Sequence, residues 1–197
     1  MRNQKIRDLV YLALFMTIIV VITQVPFLGF IPLGVTTATI GHIPVIIAAI
    51  YFGYKLGGLT GLLFGIMSMI TAYIRPTGPF DLFFQNPIIA VLPRAVFALL
   101  TVVIYKALKV INNERVRILW TAFFGSLVHS ILVIGTLFLV YYNETRTLDV
   151  NGQSQTFTLT LAFLSTALLV SVLAEAILSA IVALPVVTAL RNSRKSY

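Results

Sequence analysis

Only a few side chains able to do chemistry stand inside or at the mouths of long apolar runs, where a polar or ionisable group is costly and so marks a candidate site. Arg94 follows Pro93 and lies about seven residues beyond Pro87. Its guanidinium is a planar fork of donors that can hold a carboxylate by two parallel hydrogen bonds; the plainer reading is an arginine that snorkels toward headgroups. Gln85 and Asn86, just before Pro87, offer amide donors and acceptors, or simply form the turn. His42 and His129 are the two histidines. Without a carboxylate pair close by in sequence they make a poor metal site, so none is expected. Ser126 precedes His129 by one helical turn, but nucleophilic catalysis also needs an oriented base and an oxyanion hole. The sequence offers neither, so an interhelical hydrogen bond is expected and no catalytic residue. Glu175 is the carboxyl group deepest within an apolar run; it pairs with a base, stays protonated or touches ligand, and the sequence does not choose.

The elements that position these residues follow from composition. The 197 residues are 59% hydrophobic and 10% charged, with a mean hydropathy of +1.00, whereas a soluble domain carries roughly a quarter charged residues. Lipid is the expected solvent. Apolar runs recur to the C-terminus, which excludes a signal peptide followed by a secreted domain. The absence of cysteine removes disulfides and thiolate chemistry. The net charge of +8 marks loop ends rather than a continuous basic face, so nucleic acid is not an expected partner. No G-x-x-x-x-G-K-[ST] pattern occurs, so ATP hydrolysis by a P-loop is excluded.

Cut at charges, prolines and polar clusters, the chain yields six pieces near the length of about 20 residues that a bilayer core requires. They run roughly Asp8 to Gln24, Thr39 to Tyr54, Leu56 to Ile74, Pro87 to Leu108, Val116 to Tyr142 and Thr158 to Leu190. The second is short and opens irregularly at Gly41-His42-Ile43-Pro44. With both termini inside, 11 of the 14 basic residues become cytoplasmic, as the positive-inside rule requires. The expectation is an all-α membrane protein of six transmembrane helices forming one domain, 1–197, with cytoplasmic N- and C-termini and its binding surface under the longer outer loops. Gly57, Gly61 and Gly65, spaced by four, make a flat stripe for close helix packing, and Ala13 with Thr17 is a weaker version on the first helix. Tyr51, Tyr73, Tyr141 and Tyr142 read as interfacial residues.

Several stretches together carry a resemblance: Leu12-Ala13-Leu14-Phe15-Met16-Thr17, Thr39 to Ala48, the glycine run from Tyr51 to Gly65, Phe84-Gln85-Asn86-Pro87 with Leu92-Pro93-Arg94, and His129 to Val133 with Gly135. The chain resembles the S components, or substrate-binding subunits, of energy-coupling factor (ECF) vitamin transporters, and its stretches look more like pantothenate-type members than riboflavin, biotin or thiamin types. Cobalamin-type and unassigned members look similar. The resemblance implies a non-enzymatic subunit of the cell membrane, without cofactor, that binds a vitamin in an outward-facing pocket. It implies assembly with a membrane-embedded T component and two cytoplasmic ATPases, and delivery by toppling in the bilayer. The family's A-x-x-x-A docking stripe falls here on Ala13 and Thr17, the latter a departure. Matching aligned stretches places the substrate on Gln85, Asn86 and Arg94, with His42 and His129 as further candidates. A carboxylate held by one arginine between amides and aromatic walls suits pantothenate, which has one carboxylate, two hydroxyls and an amide. The rival readings are an S component for cobalamin, riboflavin or a pyrimidine precursor, a six-span membrane enzyme or assembly factor, and a solitary carrier or channel that works without ATPases.

Overall fold

The computed structural model describes residues 2–25, 30–32, 37–76, 79–150 and 153–195. Helix α1 (Arg2–Gln24) buries Leu12, Phe15, Ile19 and Thr23 on one side and leaves Leu9, Val10, Leu14, Ile18 and Val21 exposed on the other. It stops ahead of Pro26, as the residue before a proline avoids the helical region. Strands β1 (Phe30–Pro32) and β2 (Thr37–Thr39) pair antiparallel and lead into α2 (His42–Phe52). Every residue of α2 from His42 to Tyr51 is buried, and the helix touches α1, α3 (Tyr54–Ile74), α5 (Leu92–Ala107), α6 (Glu114–Tyr141) and α7 (Leu161–Lys195). Gly53, at φ 77°, takes the left-handed turn from α2 into α3 that a side chain would disfavour.

Among the described residues five segments are long and apolar enough to cross a membrane: Ile6–Gln24, Tyr54–Ile74, Pro87–Val110, Glu114–Tyr141 and Ser171–Ser193. The expected second span is the exception. At about 1.5 Å per residue, the 11 residues of α2 fall well short of the roughly 30 Å of a hydrocarbon core. Its all-round burial is why it reads as apolar: protein rather than lipid surrounds it. The expected fourth span also divides, into α4 (Pro87–Ala90) and α5, at Val91.

The loops at one end hold more order than an all-α expectation allows. Strands β3 (Thr145–Val150) and β4 (Gln153–Thr158) form a ribbon in which Thr145 faces Thr158 and Thr147 faces Thr156, each pair hydrogen-bonded through its hydroxyls. Alternating threonines favour such pairing. At the opposite end Asn113 caps α6 with its side-chain oxygen, and Glu114 pairs with both Arg117 and Arg191. Arg117 in turn donates to the Tyr105 hydroxyl at 2.7 Å. These contacts tie α5, α6 and α7 together at a basic end.

The glycine stripe sets how closely α3 approaches its neighbours. A Cβ at Gly57 would lie 2.7 Å from the Ala49 Cα; one at Gly61 would lie 2.5 Å from the Arg94 carbonyl oxygen; one at Gly65 would lie 2.7 Å from the Val91 Cα. The stripe therefore presses α3 against α2 and against the start of α5, where Arg94 sits.

Candidate functional site

Pro93 explains the placement of Arg94. A proline has no N–H, so the carbonyl four residues earlier loses its helical donor; here that carbonyl belongs to Ile89. The Arg94 Nη1 group donates to the Ile89 oxygen at 2.6 Å. The guanidinium is thus tied to the helix break that its neighbouring proline creates. It also lies over the Phe84 ring at 4.8 Å and the Phe64 ring at 6.0 Å. Arg94 is only 6% exposed, with its Nε unpartnered. A side chain covered by protein in this way is not snorkelling to headgroups.

Arg94 lines a cavity of about 160 Å³ whose wall draws on α1, β2, α3, the 3-10 helix Pro79–Gln85, α5, α6 and α7. Phe64, Phe80, Phe84, Val133 and Leu137 make the apolar part of that wall, and Ser68, Thr71, His129, Ser130, Ser171 and Glu175 add polar groups. Arg75 also reaches the wall, but its guanidinium is engaged by the Gln24 backbone oxygen.

The expected site residues separate into two groups. Arg94 and His129 line the cavity. His129 packs between His42, whose ring stacks on it at 5.0 Å and 9°, and the Phe97 ring at 4.7 Å; both of its ring nitrogens are buried without a hydrogen-bond partner. His42 stands behind it, fully buried, its Nε2 within 3.0 Å of the Ser126 hydroxyl and 2.9 Å of that of Ser179. Ser126 therefore joins α6 to α2 through His42, an interhelical hydrogen bond with a partner that sequence proximity to His129 did not suggest. Gln85 and Asn86 lie outside the cavity wall and spend their amides on protein. Gln85 Nε2 donates to the Ala72 oxygen at 3.0 Å, Asn86 Nδ2 to the Tyr141 hydroxyl at 2.9 Å, and Asn86 Oδ1 caps α4 by accepting from the Ile88 N–H.

The structure adds a carboxyl group that the sequence left without a role. Glu175 lines the cavity, and its Oε1 accepts from the Thr39 N–H at 2.6 Å and from the Thr39 hydroxyl at 3.2 Å. The Ser130 hydroxyl donates to Oε2 at 3.5 Å. Thr39 and Glu175 are 136 positions apart, so nothing local announces the contact. The only signal was a lone acid inside an apolar run.

His42, His129 and Glu175 bring possible ligand atoms within 4.8 Å of one another, closer to a metal triad than the sequence implied. The ring geometry does not suit it. Imidazole lone pairs lie in the ring plane, and two stacked, nearly parallel rings cannot direct both at one ion in the tetrahedral manner zinc requires. A fixed guanidinium on the same wall also opposes a divalent cation.

A partly apolar cavity with an immobilised cation suits capture of a small anion. The family model described as "ECF transporter, substrate-specific component" matches residues 7–187. This chain belongs to that family. Two curated relatives agree. The pantothenate transporter PanT of Leuconostoc mesenteroides subsp. mesenteroides is 33% identical over 149 residues, covering 74% of this chain and 73% of that protein. The pantothenic acid transporter PanT of Lactococcus lactis subsp. cremoris is 33% identical over 158 residues, covering 72% of this chain and 77% of that one. The chain is a transporter component and not an enzyme, and its apolar helices make it a multi-pass membrane protein.

For this ECF component, Asn86→Ala is expected to act on the scaffold. Loss of the α4 cap and of the Tyr141 contact lowers stability by about 1–2 kcal/mol, read as a lower melting temperature in detergent. Substrate affinity of the folded fraction changes by less than about threefold, measured by calorimetry.

Proposed function

We propose that this chain is the pantothenate-binding subunit of an ECF importer. The observation that carries the reading is Arg94, held rigidly by Ile89 and Phe84 at the wall of a small cavity, in a chain similar to two PanT proteins. The guanidinium holds the vitamin's carboxylate through its free edge, His129 offers ring nitrogens to the ligand's polar groups, and the phenylalanines cover its methyl-bearing carbons. His42 orients His129 from behind, and Gln85 and Asn86 fix the cavity rim. A volume of about 160 Å³ lies below the usual range of roughly 300–1,000 Å³ for drug-sized ligands, which favours a small vitamin over a corrin. Mass spectrometry of small molecules retained on the gently purified chain tests this. Pantothenate is expected; retention of riboflavin or cobalamin instead overturns the assignment.

In this reading the single domain 1–197 passes six times through the cell membrane, with β2 and α2 together making the short second passage. The basic end bearing Arg115, Arg117 and Arg191 faces the cytoplasm with both termini, and the cavity at the other end faces outward. ATP-driven import then needs a T component and two ATPases, since this chain has no P-loop, and substrate is delivered as the chain reorients in the membrane. Ala13 and Thr17 lie on the exposed face of α1, where Thr17 turns its hydroxyl back onto the Ala13 carbonyl at 2.9 Å and so presents its methyl. That smooth strip, flanked by Leu9, Val10, Leu14 and Ile18, is the proposed dock for the T component. Ala13→Trp is expected to abolish co-purification with the T component and ATPases while leaving vitamin affinity unchanged; normal recovery of the complex counts against the dock.

A further inference from the structure

Glu175 is held by one of its two oxygens more firmly than by the other. Oε1 takes two donors from Thr39 at 2.6 and 3.2 Å, while Oε2 has the Ser130 hydroxyl at 3.5 Å, the outer limit of a hydrogen bond. A carboxylate offers about four lone-pair positions, so Oε2 can accept another donor at the cavity wall. Several of that wall's polar groups stand on three neighbouring helices: Arg94 on α5, His129 and Ser130 on α6, Glu175 on α7. Helix α6 packs against both α5 and α7, so the cation and the carboxyl group flank it from two sides. One cavity wall thus offers both a cation for an anionic ligand group and a carboxyl oxygen for an O–H or N–H donor.

Resting on the pantothenate reading above, we infer that Glu175 is a specificity-determining residue that accepts a hydrogen bond from the ligand's hydroxyl end through Oε2. Through Oε1 it holds β2 against the cavity at the same time. Ligand recognition and placement of this outer segment therefore share one side chain. Ligands with the same carboxylate but no hydroxyl leave Oε2, among the described residues, to Ser130.

The test is a thermodynamic cycle on the full chain in detergent, by calorimetry. It pairs Glu175→Gln with two probes: pantothenate, and an analogue of it in which both hydroxyls are replaced by hydrogen. Replacing the Oε2 acceptor by an amide N–H, which cannot accept, predicts that Glu175→Gln weakens pantothenate by about 10- to 100-fold but the analogue by less than about threefold. Equal losses for both probes would mean that Glu175 only anchors β2, and overturn the inference; an unchanged pantothenate affinity does the same. A folded parent chain that binds no pantothenate overturns the vitamin assignment and this inference with it. That outcome is distinct from a parent that binds pantothenate with additive losses, which overturns the role of Glu175 alone. Should Glu175→Gln not accumulate folded, Glu175→Asp, which withdraws the carboxylate by one methylene, is read in the same cycle by the same criteria.

Discussion

Arg94→Ala is expected to weaken pantothenate binding by roughly 150- to 4,000-fold, because removing one partner of a buried charge pair leaves the other unpaired at a cost of about 3–5 kcal/mol. The size of the loss follows from the cavity, where a carboxylate leaves water for a wall largely of phenylalanine and aliphatic side chains. Arg94→Lys retains the charge but not the planar fork, nor the stacking on Phe84, and falls between parent and alanine variant. The alanine variant also leaves the Ile89 carbonyl without its donor, so its melting temperature drops by a few degrees while the bundle stays folded. Calorimetry on the purified chain reads the first effect and thermal denaturation the second. An affinity within threefold of the parent, about 0.6 kcal/mol, removes Arg94 from the proposed site.

Gly61→Leu should be the most damaging single change to the scaffold. The first added carbon would meet the Ala98 Cβ and the Arg94 carbonyl oxygen, each at 2.5 Å, and neither is the movable end of a long side chain. Overpacking of ordinary cores costs about 1–3 kcal/mol; a collision with helix backbone lies at or beyond the top of that range. Helix α5 must move away from α3, taking Arg94 with it, so affinity falls along with stability. Leu62→Ala, one residue later on the exposed side of α3, is the matched control and leaves both nearly unchanged. Equal melting temperatures for the glycine and control variants would contradict the close approach of α3 and α5.

Both expectations join a feature that was visible in the chain to one that was not. The four-residue spacing of Gly57, Gly61 and Gly65 is a local pattern, and helical periodicity is enough to place the three on one face. That their partners are Ala49, Arg94 with Ala98, and Val91 depends on which helices meet, and no spacing encodes that. The same division applies to the polar residues. Arg94 stood out because a charge inside an apolar run is costly, and its proline neighbour hinted at a broken helix. Gln85 and Asn86 stood out as amides beside a helix start, but they are spent within the protein: on a local cap at α4 and, across the fold, on the Ala72 carbonyl and the Tyr141 hydroxyl. Such turn chemistry competes with ligand binding for the same side-chain groups.

Hydropathy, the distribution of charge and the small-residue stripe by themselves determined that this protein is a bundle of membrane helices and which faces can pack tightly, because burial in lipid and helix geometry act over a few turns of chain. The resemblance of its stretches to ECF components was legible for the same reason. Tertiary structure alone decided that α2 is wrapped in protein on all sides, that Ser126 serves His42 rather than His129, and that Glu175 meets Thr39 across 136 positions. These outcomes depend on packing and hydrogen-bond partners supplied by distant segments of the chain. A buried polar group must find a partner, but the chain in one dimension does not say which.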